Sequence, residues 1–114
     1  MRPDDILVVD MLRFARQATR AAADVTLAQL EDDPDRPSMV LWPLTLLGEA
    51  AAKVSEPYRA ATPQITWRRI VGLRNVLIHD YGGIDMIAVE QVLRVHLPAL
   101  IADLEALRVD RADE

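Results

Sequence analysis

From Asp4 onward, Leu7, Met11, Phe14, Ala18, Ala22 and Val25 recur at steps of three and four. That spacing predicts a first helix with one apolar stripe, capped by Asp4 or Asp5 and running to about Leu30. The segment Glu31-Asp32-Asp33-Pro34-Asp35-Arg36-Pro37 is charged and punctuated by proline, which suits an exposed connection. A second helix is predicted from Pro37 or Ser38 through Met39, Val40, Leu44, Leu47, Ala51 and Val54. It is apolar around much of its circumference, which makes it the most buried element, and Pro43 should kink it or delay its start. Glu56 to Ile65, with Pro57 and Pro63, reads as a loop leading to Thr66 as the cap of a third helix. That helix carries Trp67, Ile70, Val71, Leu73, Leu77 and Ile78, and Gly82-Gly83 ends it or the turn after it. Asp85 then caps a last helix with Ile87, Val89, Val92, Leu93, Leu97, Leu100, Leu104 and Leu107, bent at Pro98.

No segment alternates with period two, so the expectation is an all-α, up-and-down bundle of four helices, or five if Pro98 divides the last, with residues 111–114 frayed. The 114 residues make one domain, 1–114, since a second would be too small to stand alone. The absence of cysteine removes disulfides and thiolate metal sites and fits a reducing compartment. No metal or cofactor is called for. Met1-Arg2-Pro3-Asp4-Asp5 lacks the apolar core of a signal peptide, and the apolar run Met39 to Leu47 is too short to span a bilayer, so a cytoplasmic protein without membrane association is expected.

The net charge of −5 argues against indiscriminate nucleic-acid binding. Its distribution qualifies that. Between Pro57 and His79 there is no Asp or Glu, although an even spread of the 18 acids would place about 3 or 4 there, and the same window holds Arg59, Arg68, Arg69 and Arg74. These arginines either form a local basic patch able to contact phosphates or are ordinary solvated helix positions.

The window ends in the one cluster that suggests chemistry, Arg74-Asn75-Val76-Leu77-Ile78-His79-Asp80-Tyr81. It offers a fixed cation, a group that titrates near neutrality and a phenolic hydroxyl, the components for handling a phosphate. Successive helical residues turn by roughly 100°, so Arg74 and His79 would point roughly 140° apart on an unbroken helix, whereas Asn75 and His79 share a face. Convergence therefore requires the helix to end near His79 or a second copy of the motif to approach across a symmetric interface. If the groups converge, Arg74 holds a phosphate oxygen while His79 moves a proton, and RNA supplies its own 2′-hydroxyl nucleophile. A nearby arginine should also lower the His79 pKa. The alternative is structural: Arg74 pairs with Asp80 or Asp85, His79 caps the helix end, and Tyr81 packs its ring. Elsewhere, His96 has no partner at ligand spacing and reads as a packed or partly exposed side chain, and Trp42 and Trp67 read as core or interface anchors. Neither a Gly-rich phosphate loop nor a His-Glu-x-x-His pattern is present.

The string from Arg74 to Tyr81, followed by Gly82-Gly83-Ile84-Asp85, resembles the Arg-x4-His-x-Tyr motif of the HepT-like branch of the HEPN superfamily. Leu47-Gly48-Glu49-Ala50-Ala51, the stretch Pro63 to Leu73 and Leu97-Pro98-Ala99-Leu100 agree in order and spacing, so the likeness covers about residues 44–105. One departure is Trp42-Pro43-Leu44-Thr45, where the family usually has an Arg-Asn pair.

The resemblance implies a HEPN-like helical homodimer whose two motifs face each other in a composite ribonuclease site, a toxin of a toxin-antitoxin pair that needs no metal. It implies Arg74 and His79 as catalytic, Asn75 as site-orienting, and Tyr81 as the acceptor of AMP from a MntA-like nucleotidyltransferase partner. Arg59, Arg68 and Arg69 are then possible contacts to the phosphates of the RNA substrate. Asp80 and Glu49 are possible supports, the latter as a buried carboxylate reaching Arg74, with Gly48 allowing close helix approach, or else simply as a polar residue facing solvent. A different class of function remains open, a non-catalytic HEPN-like module that docks a nucleotidyltransferase.

Overall fold

The computed structural model describes residues 3–33, 35–78 and 83–112. Helix α1, Pro3–Ala22, buries Val8, Met11, Leu12, Ala15, Ala18 and Ala22, while Leu7 and Phe14 pack at the edge of that face. It begins at Pro3, so Asp4 and Asp5 lie in its first turn, where they complement the helix dipole, instead of ahead of it as caps. The Asp4 carboxylate reaches across the fold, accepting from the Ser55 backbone N–H at 2.9 Å and from its hydroxyl at 2.7 Å.

The first helix stops at Ala22, well short of Leu30. A capping box starts a new one: Thr26 Oγ1 accepts from the Gln29 N–H at 3.2 Å, and Gln29 Oε1 accepts from the Thr26 N–H at 2.9 Å. Helix α2, Leu27–Asp32, turns Leu30 into the core. The Arg94 guanidinium ties the break down, donating to the carbonyls of Ala22 at 3.2 Å and Val25 at 2.6 Å.

Helix α3, Arg36–Lys53, passes through Pro43, which therefore neither ends it nor delays its start. Pro43 is fully buried and has no N–H to offer the Met39 carbonyl. Val40, Leu44, Leu47, Ala50 and Ala51 are buried, and α3 makes its most extensive contact with α1. Met39 and Trp42 instead face outward, at 63% and 62% exposure, so Trp42 is no core anchor.

The expected loop after α3 contains helix α4, Glu56–Ala61. Ser55 caps it by accepting from the Tyr58 N–H, and Pro57 falls in the first turn, where its missing donor is harmless. Trp67 is buried as a core anchor. Its indole N–H donates to the Thr62 carbonyl at 3.3 Å and hydroxyl at 3.1 Å, and that hydroxyl donates to the Tyr58 carbonyl at 2.8 Å.

The third predicted helix is divided at Gly72 into α5, Trp67–Val71, and α6, Leu73–Leu77. Thr66 occupies the cap position of α5, without a side-chain hydrogen bond. Asp85 caps the next helix as anticipated, accepting from the Ala88 N–H at 3.0 Å. That helix, α7, Met86–Gln91, continues through a π-helical turn, Val92–His96, into α8, Leu97–Ala112. The irregularity lies in the turn preceding Pro98, where a proline ring crowds the backbone and removes a donor, and the Leu97 N–H reaches back to the Val92 carbonyl. The backbone of α8 is helical through Arg111 and Ala112, and the rest of the segment expected to fray, 113–114, lies outside the described residues.

The result is the all-α bundle that the periodicity predicts, with α1, α3, α5–α6 and α7–α8 as its rods and α2 and α4 as short connecting helices. Among the described residues the β-type pairing is a single isolated bridge between Ile78 and Ile84. No helix is long and apolar enough to cross a membrane, among the same residues.

Gly48 fixes how closely α3 and α5 approach. A Cβ there would lie 3.1 Å from the Ile70 carbonyl oxygen and 3.9 Å from that of Val71. Gly48→Val should therefore destabilise the fold by about 1–3 kcal/mol through overpacking. Urea titration would show it as a lowered midpoint with an unchanged slope.

Candidate functional site

Helix α6 is only Leu73–Leu77, and its orientation is set by two side chains one turn apart, Leu73 and Leu77, both buried. Their burial turns Arg74, Asn75 and Val76 outward, and all three are exposed. The Arg74 side chain makes no hydrogen bond or ion pair with another described residue. The structural alternative in which Asp85 neutralises it is therefore not realised, and the one involving Asp80 falls on a residue outside the described set.

The helix ends before the histidine. Ile78 is extended, with φ −121° and ψ 121°, and its N–H still bonds the Arg74 carbonyl at 3.0 Å. The Asp85 N–H donates to the Leu77 carbonyl at 2.8 Å, and Ile78 pairs with Ile84. Both ends of the intervening segment are thus tied to the end of α6. His79, Asp80, Tyr81 and Gly82 themselves lie outside the described residues. Of the two conditions for convergence set by helical geometry, a helix ending near His79 is met on the Arg74 side.

The four arginines of the acid-free window have different tasks. Arg59 is engaged: its guanidinium donates to the carbonyls of Val54 at 3.1 Å, Ala51 at 2.9 Å and Ala52 at 3.0 Å, and lies 5.9 Å from the Trp67 ring centroid. It caps the C-terminus of α3, favourable both for the orphan carbonyls and for the helix dipole. This corrects its expected place among free phosphate contacts. Arg68 and Arg69 are exposed on α5, and Arg69 Nη1 stands 3.4 Å from Nδ1 of His96.

Glu49 is corrected too. It is exposed and makes no ion pair with Arg74, so the buried carboxylate anticipated there is absent. Its neighbour Gly48 does provide the close approach. His96, read from the sequence as unpartnered, has Arg69 beside it, and a separation of 27 residues carried no signal of that.

The HepT-like family, described as Ribonuclease HepT-like, matches residues 11–107. The chain belongs to that family. It is 28% identical over 96 residues to "Putative RNase MJ1380" of Methanocaldococcus jannaschii, covering 84% of this chain and 88% of the relative. It is 30% identical over 69 residues to "Probable ribonuclease HepT" of Thermococcus cleftensis, covering 60% and 63% of the two chains. No solved structure gives a significant match.

The division among the arginines predicts distinct effects on stability. Arg59→Ala should cost about 1–3 kcal/mol, because it strips the α3 carbonyls of a charged donor. Arg68→Ala and Arg74→Ala should stay within about 0.5 kcal/mol of wild type, as exposed positions do. Chemical denaturation of the three variants compares them directly.

Proposed function

We propose that this chain is a metal-independent endoribonuclease that acts as a homodimer and is the toxin of a toxin-antitoxin pair. The observation that carries the proposal is Arg74, an exposed arginine whose side chain has no described partner, in a stretch of chain without carboxylates and on a short helix that stops at Leu77, two residues before His79. Membership of a ribonuclease family gives the substrate class.

In this mechanism the RNA 2′-oxygen attacks the adjacent phosphorus while neutral His79 takes its proton. The bond from phosphorus to the 5′-oxygen breaks, that oxygen is protonated by the partner subunit's His79 acting as acid, and a 2′,3′-cyclic phosphate remains. Arg74 donates to the non-bridging oxygens as negative charge grows on them. Asn75, four residues before His79, orients the site. Exposed apolar residues beside it support the dimer: Ile84 at the pairing with Ile78 and Ile87 at the start of α7, at 36% and 71% exposure.

Control is assigned to Tyr81. A MntA-like nucleotidyltransferase moves AMP from ATP onto its hydroxyl, releasing pyrophosphate and leaving a charged, bulky group in the RNA path.

Purified protein should cleave RNA in excess EDTA. His79→Ala should lower the rate by about 10²–10⁴-fold and Arg74→Ala by about 10²–10³-fold, with both variants folded. Cleavage by His79→Ala at the wild-type rate would remove the proposed acid–base group. Complex formation with the transferase but no RNA turnover by wild type would favour a docking module instead. Intact-mass analysis of protein co-expressed with the transferase should show added AMP that Tyr81→Phe abolishes.

A further inference from the structure

Beside α6 lies a cleft of about 360 Å³, at the small end of the range for small-ligand sites. Its walls are mainly apolar and include Ile70, Leu73, Val76 and Leu100. Arg69 and His96 also line it, and both are exposed. Arginine can only donate, so the contact of Arg69 Nη1 with Nδ1 of His96 leaves the imidazole proton on Nε2. The remaining guanidinium N–H groups and the Nε2–H, which points away from Arg69, then serve two different acceptors along the rim. His96 is placed there by the π-helical turn Val92–His96, a backbone irregularity of the kind that often re-aims side chains at functional sites.

An apolar hollow with two cationic or polar donors at its rim matches the amphiphilic chemistry of a nucleotide, an apolar base joined to a phosphate. A free phosphate would leave the hollow unused. Leu73 and Val76 of the cleft flank Arg74 on the same short helix, so an occupant of the cleft is next to whatever Arg74 holds. Resting on the ribonuclease reading, we infer that Arg69, His96 and this cleft form a substrate subsite that takes one unstacked nucleotide of the RNA beside the scissile phosphate. The base enters the apolar walls, as bases do when they leave a stack, its phosphate sits on Arg69, and the His96 Nε2–H donates to a second oxygen of the nucleotide. Gln91, also in the lining, supplies an amide for the base edge.

The test is binding of a fully 2′-O-methylated, uncleavable RNA hexanucleotide to the whole chain, followed by fluorescence anisotropy and by the His96 ring signals in NMR. Wild type should bind with a shift of the His96 signals. Arg69→Gln and His96→Ala should each weaken binding about tenfold, and Arg69→Lys should recover part of the loss. Val76→Asp, at a half-exposed position that leaves the fold intact, should weaken the hexanucleotide but not inorganic phosphate. A hexanucleotide with one abasic position should bind wild type less tightly when that position falls in the cleft.

Equal binding by wild type, Arg69→Gln and His96→Ala would overturn the subsite. So would abasic hexanucleotides that bind as well as the intact one at every position. His96 signals that ignore the RNA but shift on dilution to monomer would overturn it as well, by showing a second copy in the cleft. Cleavage of unmodified RNA by the same wild-type sample keeps the two proposals apart. Cleavage without these binding effects rejects the subsite alone, whereas binding at His96 without cleavage supports the subsite and rejects the ribonuclease reading.

Discussion

The close approach of α3 to α5 at Gly48 sets the position of everything around the site. The Ile70 carbonyl oxygen occupies the space that any side chain at Gly48 would need, 3.1 Å from the nearest atom it could carry. Helices α5 and α6 have five residues each, far below the length at which a helix is stable by itself in water. They exist because Ile70, Leu73 and Leu77 are buried against the longer helices. Anchoring through alternate turns leaves no freedom in the direction of the opposite face, and Arg74 is on that face. A widening of the gap between α3 and α5 would thus move the cation without touching it.

Charge in this region is divided by hydrogen-bonding opportunity. The C-terminus of α3 exposes carbonyls that need donors, and Arg59, with its planar fork, serves three of them. Arg94 does the equivalent work at the end of α1. Both are held by backbone acceptors whose positions are rigid, so their side-chain entropy is already lost in the fold. Arg68 and Arg74 have no such acceptors among the described residues. A count of arginines in the window therefore overstates the basic patch, since Arg59 is part of the scaffold.

The helical faces were readable because burial demands apolar residues every three or four positions, and α1, α3 and α7–α8 follow that rule. The breaks were not, although two had local signatures. Thr26 and Gln29 form a capping box, and Ser55 with Pro57 is a helix start. Periodicity that resumes nearly in phase hides the former, and two prolines give the latter the composition of a loop. The division at Gly72 and the π-helical turn depend on packing between distant segments, which no local pattern contains. The likeness to the family was legible from 44 to 105 by motif, while the family match extends to residues 11–107 and takes in part of α1, which packs on α3. At the site, the apolar spacing of Leu73 and Leu77 carries the outward direction of Arg74 and Asn75, because the two leucines can be buried only if the residues between them face away. The tasks of Arg59, Glu49 and His96 were hidden because each depends on a neighbour, or the lack of one, far away in sequence.

The end of α6 changes the geometric argument about the motif. A continuous helix through residue 79 would separate Arg74 and the following histidine by roughly 140°, which forced a choice between a broken helix and a second chain. The extended Ile78, held by its pairing with Ile84 and by the hydrogen bond from Asp85 to Leu77, breaks the helical phase one residue before the histidine. Intrachain convergence is no longer barred, so the case for a dimer cannot rest on angular separation. It rests instead on two separate needs: an acid as well as a base for the cleavage step, where the motif's histidine supplies a single proton-transfer group, and cover for Ile84 and Ile87 next to it. A two-fold axis near the end of α6 would meet both needs at once, repeating the histidine and burying the apolar rim with the same operation.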